Sequence, residues 1–286
     1  VLGLLGSLRA GGAMVALPRF DIEALKGALA QGTMLFAVPT MYHRMAEAIG
    51  SDPELGQVLR RARMTISGSA GLAARDARIL GEHKVEVHQR YGLTETLINC
   101  AARFGEPVTL GTVGPALRGI ELRIVSDDRK TLGPGQIGEV AVRGDNVFPG
   151  YLDNPEATAA VKDADGWFYT GDVAEMDERG TVRIHGRKST DLIKSGGYKI
   201  GAGEIEACLL ERDEVKEVAV VGVPDDDLGE RVVAFVVPRS PVDQQALIDH
   251  VARQLSPHKR PREVHVVAEL PRNAMGKVQK KRLLEP

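Results

Sequence analysis

The hydrophobic period of this 286-residue chain changes twice, and those changes set its organisation. Up to about residue 115, short apolar runs alternate with amphipathic stretches. Thr33 to Val38 (TMLFAV), Met64 to Ser67 and Val85 to Gln89 have the length and composition of buried strands. Met41 to Ile49, opened by Pro39-Thr40, and Ala73 to Glu82 have helical spacing. Val1 to Leu8 is apolar and reads as the interior of a helix. Strands alternating with helices predict a largely parallel sheet covered on both faces.

From about 116 to 186 the period drops to two. Gly119 to Ser126, Ile137 to Arg143 and Thr181 to His185 alternate, with turns at Gly133-Pro134-Gly135 and Glu178-Arg179-Gly180. This stretch predicts a small β-barrel subdomain without a long helix. After Gly186 the spacing predicts helices over Ala202 to Glu211 and Asp243 to Leu255. Strands are expected at Val215 to Val223, Arg231 to Val237 and Glu263 to Val267. The expected fold class is α/β. A partial α/β sheet subdomain (1–115) and a small β-barrel subdomain (116–186) precede a small mobile α+β C-terminal domain (192–286). The polar stretch Arg187 to Asp191 is the expected hinge.

Composition narrows the function. The chain is 27% charged and 43% hydrophobic, the balance of a globular protein. A formal net charge of −2 lacks the basic excess of a nucleic-acid partner. Cys100 and Cys208 are far apart and outside any metal-binding spacing, which suits two reduced thiols and a cytoplasmic location. No apolar run is long enough to cross a bilayer, and no basic, apolar and small-residue leader opens the chain. A first residue of Val1 and an apolar opening lead us to expect the C-terminal half of a longer protein.

Four loops carry candidate chemistry. The first is Tyr91-Gly92-Leu93-Thr94-Glu95-Thr96, directly after a strand. Gly92 would allow close backbone approach, Tyr91 can cover a flat base, Thr94 can bond phosphate and Glu95 can hold Mg²⁺ through oxygen. A plain strand-to-loop turn would use the same residues. The second is Tyr169-Thr170-Gly171-Asp172, where a carboxylate after a tight turn can accept from a ribose diol. The third runs from Gly186 to Ile200 (GRKSTDLIKSGGYKI), where basic residues surround Gly196-Gly197 and suit a phosphate-bearing ligand. A solvated basic hairpin is its alternative. The fourth, Pro271 to Lys277, puts one lysine after a glycine near the C-terminus.

In this order the four loops resemble the adenylate-forming superfamily of acyl-CoA synthetases, luciferases and peptide-synthetase adenylation domains. Within it, the runs PTMYHR, SGSAGL, QRYGLTET and GRKSTDLIKSGGYKIGAGEIE look like the malonyl-CoA synthetases. The resemblance implies ATP, Mg²⁺ and coenzyme A as ligands and an acyl-adenylate as intermediate. It implies that Tyr91 stacks on adenine beside the Ser69-Ala70 loop, Thr94 contacts phosphate, and Glu95 holds Mg²⁺. Asp172 and Arg187 would bind ribose, and Lys277 would act in the first half-reaction only. Lys194, Gly196 and Gly197 would line the pantetheine tunnel after the C-terminal domain rotates, and Lys259 with Arg260 would meet CoA phosphates.

One extra residue separates the arginine from the aspartate at the hinge, so the pivot is Lys188, Ser189 or Thr190. Arg44, Ser69 and Arg90 match positions that bind the distal carboxylate of malonate. Physically, an uncompensated guanidinium is costly in a pocket for an apolar acid, whereas a second carboxylate pairs with it. A structural salt bridge from either arginine to Glu47, Glu86 or another acid is the alternative.

The family's Ser/Thr/Gly-rich phosphate loop ending in Pro-Lys-Gly does not occur in the chain, nor does a Gly-x-x-x-x-Gly-Lys loop. We therefore expect these residues alone not to catalyse adenylation, and to need the preceding half of the enzyme. Other expectations are a synthetase for a short or medium monocarboxylic acid, a carrier-loading adenylation domain, and a non-catalytic nucleotide- or CoA-binding remnant.

Overall fold

The structure is a computed structural model that describes residues 2–189, 191–273 and 278–284. Lys277 and Thr190, both singled out above, lie outside the described residues.

The first sheet has the parallel pairing that the alternation of strands and helices predicts. Strands β1 (Met34–Ala37), β2 (Met64–Ser67) and β3 (Val87–Tyr91) run parallel, and the short β4 (Cys100–Ala101) pairs antiparallel to β3. Helix α1 (Leu2–Arg9) opens the chain, and α2 (Ile22–Leu29) precedes β1. Helices α3 (Pro39–Ile49) and α4 (Pro53–Arg61) connect β1 to β2, and α5 (Ala74–Glu82) connects β2 to β3.

Pro39 and Pro53 occupy first-turn positions, where a missing N–H costs no intrahelical bond. Asp52 caps α4 by accepting from Leu55 N at 3.0 Å. Tyr42, Met45, Ile49, Leu55, Leu59 and Leu80 form the core between these helices and the sheet. Strand β1 corrects the expectation of a buried first strand in a sheet covered on both faces: it has no fully buried residue, and Met34 and Phe36 on this edge strand are 43% and 46% exposed. The third strand begins two residues later than the pattern predicts. Val85 N still bonds Leu80 O at the exit of α5, so Tyr91 belongs to the strand and not to the loop.

The second sheet corrects the barrel expectation. β5 (Ile120–Val125), β6 (Gly138–Gly144), β7 (Phe168–Met176) and β8 (Val182–Arg187) form an antiparallel meander in sequence order. A single helix, α6 (Pro155–Val161), is inserted before β7. Among the described residues β5 and β8 stay on opposite edges. The edge of β8 is taken instead by the Val113–Gly114 backbone, through Val113 N to Val182 O at 2.9 Å and Val182 N to Gly114 O at 3.1 Å. Four strands closed on themselves would enclose no room for their own side chains.

The third sheet carries β9 (Leu192–Ser195), β10 (Tyr198–Gly201), β11 (Val215–Asp225), β12 (Gly229–Pro238) and β13 (Glu263–Val266), with α7 (Ala202–Leu209) and α8 (Gln244–Gln254). Ile193, Ile200, Ile205, Leu209, Val236 and Leu247 fill its own core. The predicted phosphate-binding Gly196-Gly197 is the tip of the β9–β10 hairpin. Both glycines have positive φ, 56° and 82°, as a two-residue hairpin turn requires.

Between the second and third sheets, Arg187 N donates to Asp191 Oδ2 at 2.8 Å and Asp191 N returns to Arg187 O at 2.7 Å. Gly186 is obligatory there, since a Cβ on it would lie 2.4 Å from Asp191 Cβ. Among the described residues no helix is long and apolar enough to cross a membrane. Both cysteines are free and buried, and burial pushes the Cys100 thiol up to about 12.

Candidate active site

Strand register assembles the centre of the site. In the β7–β8 ladder Asp172 sits directly opposite Arg187, and Arg187 Nε lies 3.1 Å from Asp172 Oδ1. Arg187 also donates to Thr170 O at 2.6 Å. Tyr91 arrives from the first sheet, and its hydroxyl donates to Asp172 Oδ2 at 2.6 Å. Tyr169-Thr170-Gly171-Asp172 is not the tight turn expected. It lies inside nine-residue β7, where positive φ at Gly171 and a bulge at Val173/Ala174 re-aim the carboxylate.

Asp172 is 7% exposed. Burial raises its carboxyl above the ordinary range, against the Tyr91 hydrogen bond and the Arg187 charge. Burial, with the Asp172 charge behind it, raises the Tyr91 phenol too, so Tyr91 stays a donor.

The loop after Tyr91 folds back on itself. A Cβ at Gly92 would sit 1.8 Å from Leu97 O, so the glycine serves this self-packing and not ligand approach. Asn99 N donates to Tyr91 O at 2.8 Å. Asn146 Nδ2 donates to Thr96 O at 2.7 Å and to Asn99 Oδ1 at 3.0 Å. The result leaves Thr94 exposed and Glu95 half-buried. Tyr151 donates to Glu95 Oε1 at 3.0 Å and packs edge-on to Phe148.

A cavity of about 470 Å³ lies beside this cluster, lined among others by Glu95, Asp127, Glu139, Tyr151, Arg187 and Lys188. The pattern of one oriented carboxylate facing open space fits Mg²⁺, which usually takes one or two carboxylates together with substrate phosphates. Glu95 is the residue that would hold it. Sequence reasoning missed Tyr151, Glu139 and Asp127. Tyr151 follows the Pro149-Gly150 turn, a weak signal. Glu139 and Asp127 read as ordinary polar positions on a strand and a turn.

The predicted acid-binding residues lie at and after the carboxyl ends of the parallel strands, where open α/β sheets bind ligands. Arg44 on α3 is exposed and lies over the Phe20 ring at 5.9 Å. Arg90 is half-buried over Phe36 at 5.3 Å, with Gly68 against its Nε. Ser69 and Ala70 are exposed, and Ser69 has a φ of 80°.

Neither arginine has an acid partner among the described residues. Glu47 pairs with Arg239 at 2.7 Å instead. Lys194, Gly196 and Gly197 stay with their own sheet, through Lys194 N to Glu230 Oε2 and Gly196 N to Leu228 O. Thus Tyr91, Asp172 and Arg187 meet, with Glu95 on the adjoining cavity, while the β9–β10 residues stand on a separate sheet. Lys259, expected to meet CoA, is bonded to Glu204 at 2.6 Å.

The model of the AMP-binding enzyme family matches residues 1–152, and that of the AMP-binding enzyme C-terminal domain matches 204–277. The medium-chain fatty-acid–CoA ligase of Escherichia coli is 36% identical over 86% of this chain and 44% of its own length. The mitochondrial malonate–CoA ligase of Mus musculus is 35% identical over 99% of this chain and 54% of its own. The chain therefore spans about half the length of these curated relatives.

Among solved structures, ATP-bound MatB from Rhodopseudomonas palustris superposes with a TM-score of 0.91 at 38% identity, covering 99% of this chain and 56% of that one. A malonyl-CoA ligase ternary product complex with methylmalonyl-CoA and AMP is 52% identical, covers 95% of this chain and 60% of that one, and has a TM-score of 0.63. With four ordered motifs, a shared fold and a family match over more than half its length, this chain belongs to the AMP-binding enzyme family.

Proposed function

We propose that this chain works as the C-terminal part of an AMP-forming acid–CoA ligase that activates malonate or a 2-substituted malonate. The observation that carries the reading is the convergence of Tyr91, Asp172 and Arg187 beside a cavity that also holds Glu95. Asp172 offers a charged acceptor to the ribose diol, Arg187 holds that carboxylate in place, and the Tyr91 ring is fixed at its hydroxyl end. Glu95 would hold Mg²⁺, which would supply charge neutralisation on the phosphate oxygens. Lys277 adds positive charge between the substrate carboxylate and the α-phosphate, where negative charge grows in the transition state. The coenzyme A thiol then attacks the acyl carbon and AMP leaves.

Two further observations support the details. Arg44 and Arg90 carry guanidinium charges without acid partners among the described residues, as a dicarboxylate site needs. The less identical ATP-bound relative superposes better than the more identical product complex. That inversion supports a C-terminal domain held here as in an ATP-bound state and placed differently when CoA product is bound. The aromatic rings under both arginines, with a fatty-acid ligase among the relatives, favour a second reading: a synthetase for a monocarboxylic acid.

Arg44→Ala and Arg90→Ala in the complete enzyme separate the two. Malonate kcat/KM is expected to fall by at least ~100-fold, because the second carboxylate of the substrate loses its cationic partner, with medium-chain acids unaffected. Unchanged malonate use overturns the dicarboxylate reading. The isolated chain, lacking the phosphate loop, is expected to release no pyrophosphate from ATP, Mg²⁺ and malonate. Measurable release would overturn that expectation.

A further inference from the structure

Asp127 stands in the turn between β5 and β6, on the rim of the cavity. Its Oδ2 accepts from Lys199 Nζ at 2.6 Å, and Lys188 Nζ lies 3.0 Å from its Oδ1. Lys188 Nζ also donates to Glu139 Oε2 at 3.0 Å, while Glu139 Oε1 accepts from Gly171 N at 3.0 Å. A continuous line of charge thus runs from the residue beside Asp172, through the hinge, to Lys199 on β10. Lys199 belongs to the C-terminal sheet, two residues past Gly197. Hydrogen bonds from Lys199 and then Lys188 hold the Asp127 carboxyl down at about 2.

The fold does not require these pairs. The Asp127 side chain is 59% exposed. Its turn closes through backbone bonds, Ser126 N to Lys130 O and Arg129 N to Ser126 O. Among the described residues two other ion pairs join the C-terminal domain to the rest, Arg239–Glu47 at 2.7 Å and Arg75–Asp213 at 3.5 Å, both on the helices of the first sheet. Of these three contacts among the described residues, the Asp127 cluster is the one that touches the cavity.

We propose that Asp127 is a positioning residue that latches the C-terminal domain over the nucleotide cavity for the first half-reaction, with Lys199 as the moving partner and Lys188 as the hinge-side partner. The inference rests on the two-step reading above. Lys199 travels with the C-terminal domain and Asp127 does not, so the pair must break when that domain turns. Exposed pairs of this kind are individually weak and screened by salt, which suits a latch that opens every turnover.

The test uses the full chain carrying Glu156→Cys and Gln244→Cys, two exposed positions on the second sheet's helix and on α8. Cys100 and Cys208 are buried and stay unlabelled. Single-molecule energy transfer between dyes at the two positions reads the ratio of closed to open arrangements. Asp127→Asn and Lys199→Met are each expected to lower that ratio about five-fold at low salt. The double variant should match Asp127→Asn alone, because that substitution already leaves Lys199 without its partner.

The unfolding midpoint should not move. In the complete enzyme Asp127→Asn should slow pyrophosphate formation and spare thioester formation from supplied acyl-adenylate. Additive effects, or a ratio that responds to salt but to neither substitution, overturn the latch and leave the moving domain standing. A ratio that responds to nothing overturns both.

Discussion

The Tyr91 hydroxyl and the Asp172 carboxylate meet at 2.6 Å, 81 residues apart in sequence. Tyr91 ends a parallel strand of the first sheet and Asp172 lies in the second. The bond therefore ties the two sheets at the point where Arg187 also converges. Tyr91→Phe removes the donor and leaves a buried carboxylate oxygen without it. The expected loss is about 1–3 kcal/mol of stability, the cost of an unsatisfied charged acceptor. Urea unfolding of the chain measures it, and an unchanged midpoint would show that water replaces the phenol.

Asp172 also makes a pH prediction. Its folded carboxyl is raised, chiefly by burial, so the folded state holds the proton more tightly than the unfolded chain. Its contribution to stability is full below the unfolded value and is lost as pH rises through the folded one. Asp172→Asn removes that dependence. The stability of the variant minus that of the wild type should therefore grow more favourable as pH climbs through the carboxylate range. A difference that is flat, or that falls with pH, contradicts the burial argument. Paired denaturation curves at successive pH values read it.

Gly92 and Gly68 are both tightly packed, and their substitutions should differ. A Cβ at Gly92 meets the Leu97 carbonyl at 1.8 Å, and that carbonyl belongs to a loop pinned by Asn146. A Cβ at Gly68 meets the Arg90 side chain at 2.7 Å, which can turn aside. Gly92→Ala should cost more than ~3 kcal/mol, beyond ordinary overpacking. Gly68→Ala should cost much less and act chiefly on Arg90. Thermal melts of the two variants compare them, and equal losses would refute the distinction.

Lys280 anchors the segment after Lys277. Its ammonium pairs with Asp191, just before β9, and with Glu206 on α7, at 2.5 and 2.7 Å. Burial opposes its charge, but the charges of Glu206 and Asp191 prevail and raise its pKa. Lys280→Met leaves two partly buried carboxylates facing each other and should cost about 3 kcal/mol. Adding Glu206→Gln should recover part of the loss, because one of the two repelling charges is removed. A melt insensitive to Lys280→Met would mean that water already screens the cluster.

The local elements were largely legible because apolar period depends on neighbours in sequence. TMLFAV, the helix after Pro39-Thr40 and the two helices of the C-terminal domain follow from spacing and caps alone. The second sheet was harder. Its strands alternate as a barrel's would, and only the edge contact of β8 with Val113–Gly114 distinguishes an open meander from a closed one. Gly196-Gly197 shows the same ambiguity, since a phosphate-cradling loop and a hairpin turn both demand positive φ.

By itself, the sequence determined the segments whose apolar period was clear, β2, β5, β6, α3, α5, α7 and α8 among them, while β7 read as a turn and α2, α4 and α6 went unread. Through four ordered loops it also named most of the residues that could serve a nucleotide. Tertiary structure alone decided that Tyr91, Asp172 and Arg187 share one point, that Tyr151 orients Glu95, and that Asp127 gathers Lys188 and Lys199. Hydrophobic period is a one-dimensional signal that chooses which face is buried. Ladder register and the docking of one sheet on another set which polar groups meet, and those depend on contacts between residues far apart in the chain.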